Sequence, residues 1–130
     1  MKKLRIGVVG LGRLGKVHAQ NIAYKIPNAE LTAACSIVPA ELEYAKQELG
    51  VTDVYSDYRE MLANADIDAV VIVTTSSEHC WQIEAALDAG KHVFSEKPLG
   101  VDVAQCKQAE AAVERHPDRT FMLGFMRRYD

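Results

Sequence analysis

The apolar stretch Leu4-Arg5-Ile6-Gly7-Val8-Val9 runs directly into Gly10-Leu11-Gly12-Arg13-Leu14-Gly15, and a helical pattern follows at once. No other feature constrains the fold as strongly. In a G-x-G-x-x-G turn between strand and helix each glycine has its own task. The first makes the tight turn, the second lets the backbone approach a pyrophosphate, and the third lets helix and strand pack closely. Free N–H groups at the helix start, with the positive end of its dipole, then favour phosphates. Gly10, Leu11, Gly12, Arg13, Leu14 and Gly15 are therefore read as a dinucleotide-binding turn. The alternative is a glycine-rich turn with no ligand, and the strand–helix context favours the binding turn.

Strand-like apolar runs and helical patterns alternate along the rest of the chain. A helix from Leu14 to Lys25 carries Val17, Ala19, Ile22 and Ala23, and Pro27 closes it. A strand over residues 30–36 precedes a helix entered at Pro39 and ended at Gly50. A short strand lies at Val54-Tyr55, and Asp57-x-x-Glu60 reads as a capping box for a helix ending near Asn64. The run over residues 68–73 is almost wholly apolar, as a strand covered on both faces should be. Ser76 or Ser77 caps a helix to Asp88 that stops at Gly90. His92-Val93-Phe94 is a fifth strand, Asp102-x-x-Gln105 opens a helix through Arg115, and residues 120–125 form a sixth strand. The expected fold is α/β, a Rossmann-type doubly wound parallel sheet with helices on both faces.

One hundred and thirty residues suit one domain with a real core. A net charge of −3 excludes the basic field of a nucleic-acid binder, and no polybasic run suggests a membrane surface. The apolar run after Met1-Lys2-Lys3 is too short and too rich in glycine for a signal peptide or a membrane span. Cys35, Cys80 and Cys106 are odd in number and lack C-x-x-C spacing, which fits free thiols in a reducing cytoplasm. No histidine pair has metal-ligand spacing, so no metal is expected.

In an open parallel sheet the ligand lies outside the carboxyl ends of the strands. Here those ends are Gly10–Gly15, Ser36, Thr74–Ser77 and Ser95–Pro98. Ser36 stands where an acid often reads the adenosine ribose, and it exerts little repulsion on a 2′-phosphate. The next residues offer no Arg or Lys for that phosphate, and Glu41 would oppose it. NAD is thus the expected cofactor, since phosphate recognition usually needs a cation. Arg13 is the residue through which NADP remains possible, unless it is a solvated loop charge.

Thr74, Thr75 and Ser76 offer hydroxyl and N–H groups to the nicotinamide half; the other reading of this turn is simple helix capping at Ser76 or Ser77. His79 fits a neutral, hydrogen-bonded residue holding that loop better than a catalytic base, and His18 has the same reading. His92 and His116 show no partner in the sequence. Glu96-Lys97-Pro98 ends a short strand at the functional edge. Lys97 there could contact a substrate hydroxyl or shuttle its proton, with Glu96 positioning it. The other reading is an exposed Glu96–Lys97 ion pair worth about 0–1 kcal/mol. Arg127 either reaches a polyol or anionic substrate group or belongs to a solvated basic tail.

Taken in order, Gly10–Gly15 with His18, the Thr74–His79 turn, and Gly90-Lys91-His92-Val93-Phe94-Ser95-Glu96-Lys97-Pro98-Leu99 resemble a known family over essentially the whole chain. This is the nucleotide-binding half of the glucose–fructose oxidoreductase/inositol dehydrogenase (Gfo/Idh/MocA) family. The closing Gly124-Phe125-Met126-Arg127-Arg128-Tyr129-Asp130 looks most like its inositol 2-dehydrogenase branch. The resemblance implies hydride transfer between a nicotinamide and a secondary alcohol of a sugar or cyclic polyol. Lys97 would be the catalytic lysine at the reacting hydroxyl, with cofactor contacts from the same segment, and Arg127 a substrate contact. The family's catalytic Asp and His, and the second domain that walls the substrate cleft, would lie beyond Asp130. A homo-oligomer is expected of the full-length protein. Ser36 and Thr75, the latter where proline is common, depart from the family pattern.

Residues 1–130 are thus expected to form the cofactor-binding domain of an NAD(P)-dependent dehydrogenase, with little turnover by themselves. The rival from another class is a dinucleotide sensor without chemistry, which would have no use for Lys97. A third reading is a complete protein that binds a nucleotide or CoA alone.

Overall fold

The computed structural model describes residues 3–96 and 100–124, and within them every apolar run of the sequence becomes a strand of one sheet. In chain order the elements are β1 (Leu4–Val9), α1 (Arg13–Tyr24), β2 (Ala29–Cys35), α2 (Pro39–Glu48), β3 (Asp53–Tyr55) and α3 (Tyr58–Asn64). They continue with β4 (Ala69–Ile72), α4 (Ser76–Asp88), β5 (His92–Glu96), α5 (Val103–Arg115) and β6 (Phe121–Gly124). All pairings are parallel, and the strand order is β3-β2-β1-β4-β5-β6. The expected doubly wound α/β sheet is borne out. Strand order reverses between β1 and β4, which opens a crevice beyond their carboxyl ends.

Successive residues of the central strands face opposite ways, and both faces are covered. Val8, Ala34 and Val71 pack with Ala19, Ile22 and Ala45 of α1 and α2 on one face. Val9, Ala33 and Val70 pack with Met61, Ile83 and Ala109 of α3, α4 and α5 on the other. Burial on both sides is why these strands read as unbroken apolar runs rather than alternating ones.

The helix punctuation follows local chemistry. Asp57 Oδ1 accepts from the N–H groups of Arg59 (2.9 Å) and Glu60 (3.3 Å), and Asp102 Oδ1 from Gln105 (2.8 Å). Gln105 Oε1 reaches back to accept from Val101 N–H at 2.9 Å. Helix α4 closes on Gly90 at φ +83°, with the N–H of Lys91 bonded to Ala86 O and that of Gly90 to Leu87 O.

Two expectations need correction. Neither Ser76 nor Ser77 caps α4. The cap position is Thr75, extended at ψ 156°, and its side chain makes no capping bond, so Ser76 is already helical. Strand β5 also runs two residues past Phe94. Ser95 and Glu96 break the apolar pattern, yet both are buried there because their polar atoms find partners inside the protein.

Candidate dinucleotide-binding site

The carboxyl ends of β1, β2, β3, β4 and β5 border a cleft of about 1820 Å³. Its floor is the glycine turn, and the three glycines differ in what surrounds them. Gly10 sits at φ +96°, and a Cβ there would lie 2.6 Å from Val73 O. A Cβ on Gly15 would lie 2.0 Å from Gly10 O, so helix and strand touch backbone to backbone at that point. A Cβ on Gly12 would meet nothing within 4 Å. The protein itself therefore needs Gly10 and Gly15, while the space over Gly12 opens on the cleft. Gly12 is the N-cap of α1 and supplies no side-chain cap, leaving the first N–H groups of that helix without a capping side chain. Leu11 is fully buried beneath the turn, and Arg13 is exposed on its rim.

At the end of β2, Ser36 is buried and turned into its own loop. Its hydroxyl donates to Glu41 Oε1 at 2.6 Å and accepts from Val38 N–H at 3.0 Å. Glu41 in the first turn of α2, and Ser56 and Asp57 after β3, also line the cleft. Sequence reading missed Asp57 as a lining residue and saw Glu41 only as an obstacle to a 2′-phosphate.

At the end of β4, Thr74 Oγ1 donates to Gln82 Oε1 at 2.5 Å, and the Thr74 carbonyl lies 2.9 Å from His79 Nε2. A carbonyl can only accept, so the His79 proton in this bond is on Nε2. His79 is 2% exposed and pins the turn from beneath. Thr75 and Ser76 line the wall above it.

Glu96 closes the opposite end of the cleft. The picture of an exposed strand-end ion pair does not hold for it: Glu96 is 6% exposed, and its Oε2 lies 2.7 Å from His18 Nε2 on α1. His18 also sets its ring edge-on to Phe94, with centroids 5.7 Å apart. The other two histidines have partners that lie too far away in sequence to be read from it. His92 Nδ1 accepts from Thr120 N–H at 2.9 Å, and His116 Nε2 lies 2.7 Å from Asp88 Oδ1. Lys97 and Arg127 lie outside the described residues.

The cleft is acidic. Glu41, Asp57, Glu78 and Glu96 line it, and Arg13 is its one Lys or Arg among the described residues. Burial, reinforced by the charge of Asp57, pushes the Cys35 thiol up to about 11, so it remains protonated and is a poor nucleophile. Burial likewise raises the Tyr58 phenol, whose hydroxyl donates to Gln82 O at 2.7 Å. Among the described residues no group of three or more His, Cys, Asp or Glu could hold a metal ion. No helix among them is long and apolar enough to cross a membrane.

Residues 4–125 match the family described as oxidoreductases with an NAD-binding Rossmann fold. The chain belongs to the Gfo/Idh/MocA oxidoreductase family. This bears out the resemblance carried by the glycine turn and the Gly90–Leu99 block. The scyllo-inositol dehydrogenase of Lactobacillus casei, solved with NAD(H) and scyllo-inositol bound, is 56% identical with a TM-score of 0.95. That match covers 99% of this chain and 38% of the solved one. The scyllo-inositol 2-dehydrogenase (NAD(+)) of Bacillus subtilis is 38% identical across 98% of this chain and 37% of its own length. The inositol 2-dehydrogenase of Salmonella typhimurium is 34% identical across 98% of this chain and 38% of its own length. The chain thus spans under two fifths of these family members.

Proposed function

We propose that this chain is the cofactor-binding part of an NAD-dependent dehydrogenase. The enzyme would move a hydride between the nicotinamide and a secondary alcohol of a cyclic polyol, of the inositol class. The observation that carries the reading is the open space above Gly12, at the uncapped start of α1, in a cleft where both neighbouring glycines are required by the protein itself. A backbone cradle of that kind fits a pyrophosphate, which takes its hydrogen bonds from N–H groups and tolerates no side chain between. A cleft of about 1820 Å³ has room for a dinucleotide, where a single drug-sized ligand fills about 300–1,000 Å³.

When bound, the nicotinamide supplies a hydride acceptor. The chain's own residues bind and orient. Gly12 and the first turn of α1 hold the phosphates, and the exposed face of Ile37 offers apolar surface to the adenine. Thr74, Thr75 and Ser76 line the nicotinamide side of the turn that His79 and Gln82 fix in place. Lys97 contacts the reacting hydroxyl and helps to move its proton, and Arg127 contacts the substrate; both assignments rest on the sequence pattern. The substrate-side wall, a second domain and the contacts between subunits come from sequence outside these residues. Free thiols at Cys35, Cys80 and Cys106 fit a cytoplasmic protein. The sensor reading gains no support from relatives named as dehydrogenases.

Calorimetric titration with NADH tests the first half of this reading, and NADH production from NAD and a panel of inositols by the full-length protein tests the second. NADH binding with inositol-dependent reduction is expected. Failure to bind NADH rules out the cofactor site, and binding without oxidation of any cyclic polyol rules out the substrate class.

A further inference from the structure

The end of β2 lacks the acid that usually reads the adenosine ribose. Ser36, which occupies the place, is not available to replace it. Its oxygen accepts from Val38 N–H, and its proton is held by Glu41 Oε1 at 2.6 Å. We infer that Glu41, anchored by Ser36, is the residue that reads the adenosine ribose and selects NAD over NADP. The assignment rests on the dinucleotide reading above.

An acid in the first turn of a helix needs no ligand to explain it, since the helix dipole favours it there. The dipole does not explain two further facts. Glu41 lines the cleft, and its second carboxylate oxygen has no partner among the described residues. One oxygen is fixed by a buried hydroxyl, and the other remains to accept from a ribose hydroxyl. The bond to Ser36 also restrains a side chain that would otherwise lose rotamer freedom on binding. In effect the acid has moved five residues along the chain, and a serine carries it back to the strand end.

The surroundings point the same way. A 2′-phosphate would bring about two negative charges to a rim already lined by Glu41 and Asp57. Arg13 is the only guanidinium or ammonium group that lines the cleft among the described residues, and it stands exposed on the glycine turn, where solvent screens it. An NADP site needs a cation that outweighs the local acids. Here the acids are in excess.

The test measures dissociation constants for NADH and NADPH by calorimetry on the full-length protein, on E41Q and on S36A. The parent should bind NADH more tightly than NADPH. E41Q keeps the side chain's shape but removes its charge, so NADH binding should weaken while NADPH binding strengthens. The ratio of the two constants should move toward NADPH by about tenfold or more. S36A leaves the carboxylate but frees it, and should move the ratio the same way by less. An unchanged ratio in E41Q overturns the assignment. So does a parent that prefers NADPH, which would make Arg13 the dominant group. A parent that binds neither cofactor removes the dinucleotide reading itself, and this assignment with it.

Discussion

Substituting alanine at Gly15 and at Gly12 should separate what the fold needs from what the ligand needs. In G15A the new Cβ would be built 2.0 Å from Gly10 O and 2.8 Å from its carbonyl carbon, both backbone atoms that cannot rotate away. Relief to a tolerable 3.0 Å requires α1 to lift from β1 by about 1 Å. That displacement also loosens Ala19 and Ile22, which bury against the sheet. Overpacking of this kind typically costs about 1–3 kcal/mol, and a rigid backbone on both sides places it at or above the top of that range. Alanine's helix propensity returns about 1 kcal/mol. A net loss of about 2–3 kcal/mol lowers Tm by roughly 7–11 °C for a chain of this length. In G12A nothing lies within 4 Å of the added methyl, and the backbone there (φ −70°, ψ −165°) is open to any residue. The cost should be no more than about 0.5–1 kcal/mol for a poorer N-cap. NADH binding should nonetheless fall by about tenfold or more, because the methyl fills the cradle. Thermal unfolding and NADH titration on the same preparations decide the matter. A G12A protein that melts with G15A, or that binds NADH like its parent, refutes the division of labour among the glycines.

Other expectations are shorter to state. H18A leaves the Glu96 carboxylate buried without its partner and should cost about 2–3 kcal/mol by urea unfolding; the double variant H18A/E96Q should recover part of that loss, and no recovery would show the pair is not coupled. D102A removes the cap of α5, a residue that does not line the cleft, and should cost about 1 kcal/mol with NADH affinity unchanged. The Cys35 thiol is raised from 9.0 to about 11, so the folded state holds its proton longer than the unfolded chain does. Stability should therefore be level in this group below pH 9 and fall between pH 9 and 11, by at most about 3 kcal/mol; denaturant titrations across that range check it against C35A, whose decline should be shallower, with the raised Tyr58 phenol supplying part of what remains. In the full-length protein K97A should lower kcat by about 10²-fold, and unchanged turnover would remove Lys97 from the chemistry.

Much of this was legible because its causes are local. The glycine turn, the six apolar runs and the Asp57 and Asp102 caps each depend on residues within a few positions of one another. Boundaries moved by a residue or two where polar residues continue a strand, as Ser95 and Glu96 do in β5. What stayed hidden was pairing at long range. Nothing near Glu96 in sequence announces His18, 78 residues earlier, and the same is true of Asp88 with His116 and of Thr120 with His92. Cap choice at α4 also escaped, because four adjacent hydroxyl residues, Thr74 to Ser77, compete and the end of β4 decides which one turns the chain. The Ser36–Glu41 bond is different. It spans five residues, and a serine at a strand end followed by an acid in the next helix's first turn was a signal that could have been followed.

The close approach of Gly10 to Val73 has a consequence for how the protein is made. The glycine turn leaves the ribosome ahead of the backbone it rests on, which is 63 residues further along the chain. Arg5, on the same strand, waits equally long for Asp68. At about 5–20 residues per second, nascent β1 spends roughly 3–13 seconds with no inner neighbour to pair with. Throughout that interval its apolar edge is open to whatever else is nearby, which makes the interval before β4 emerges the period when a chaperone would matter most.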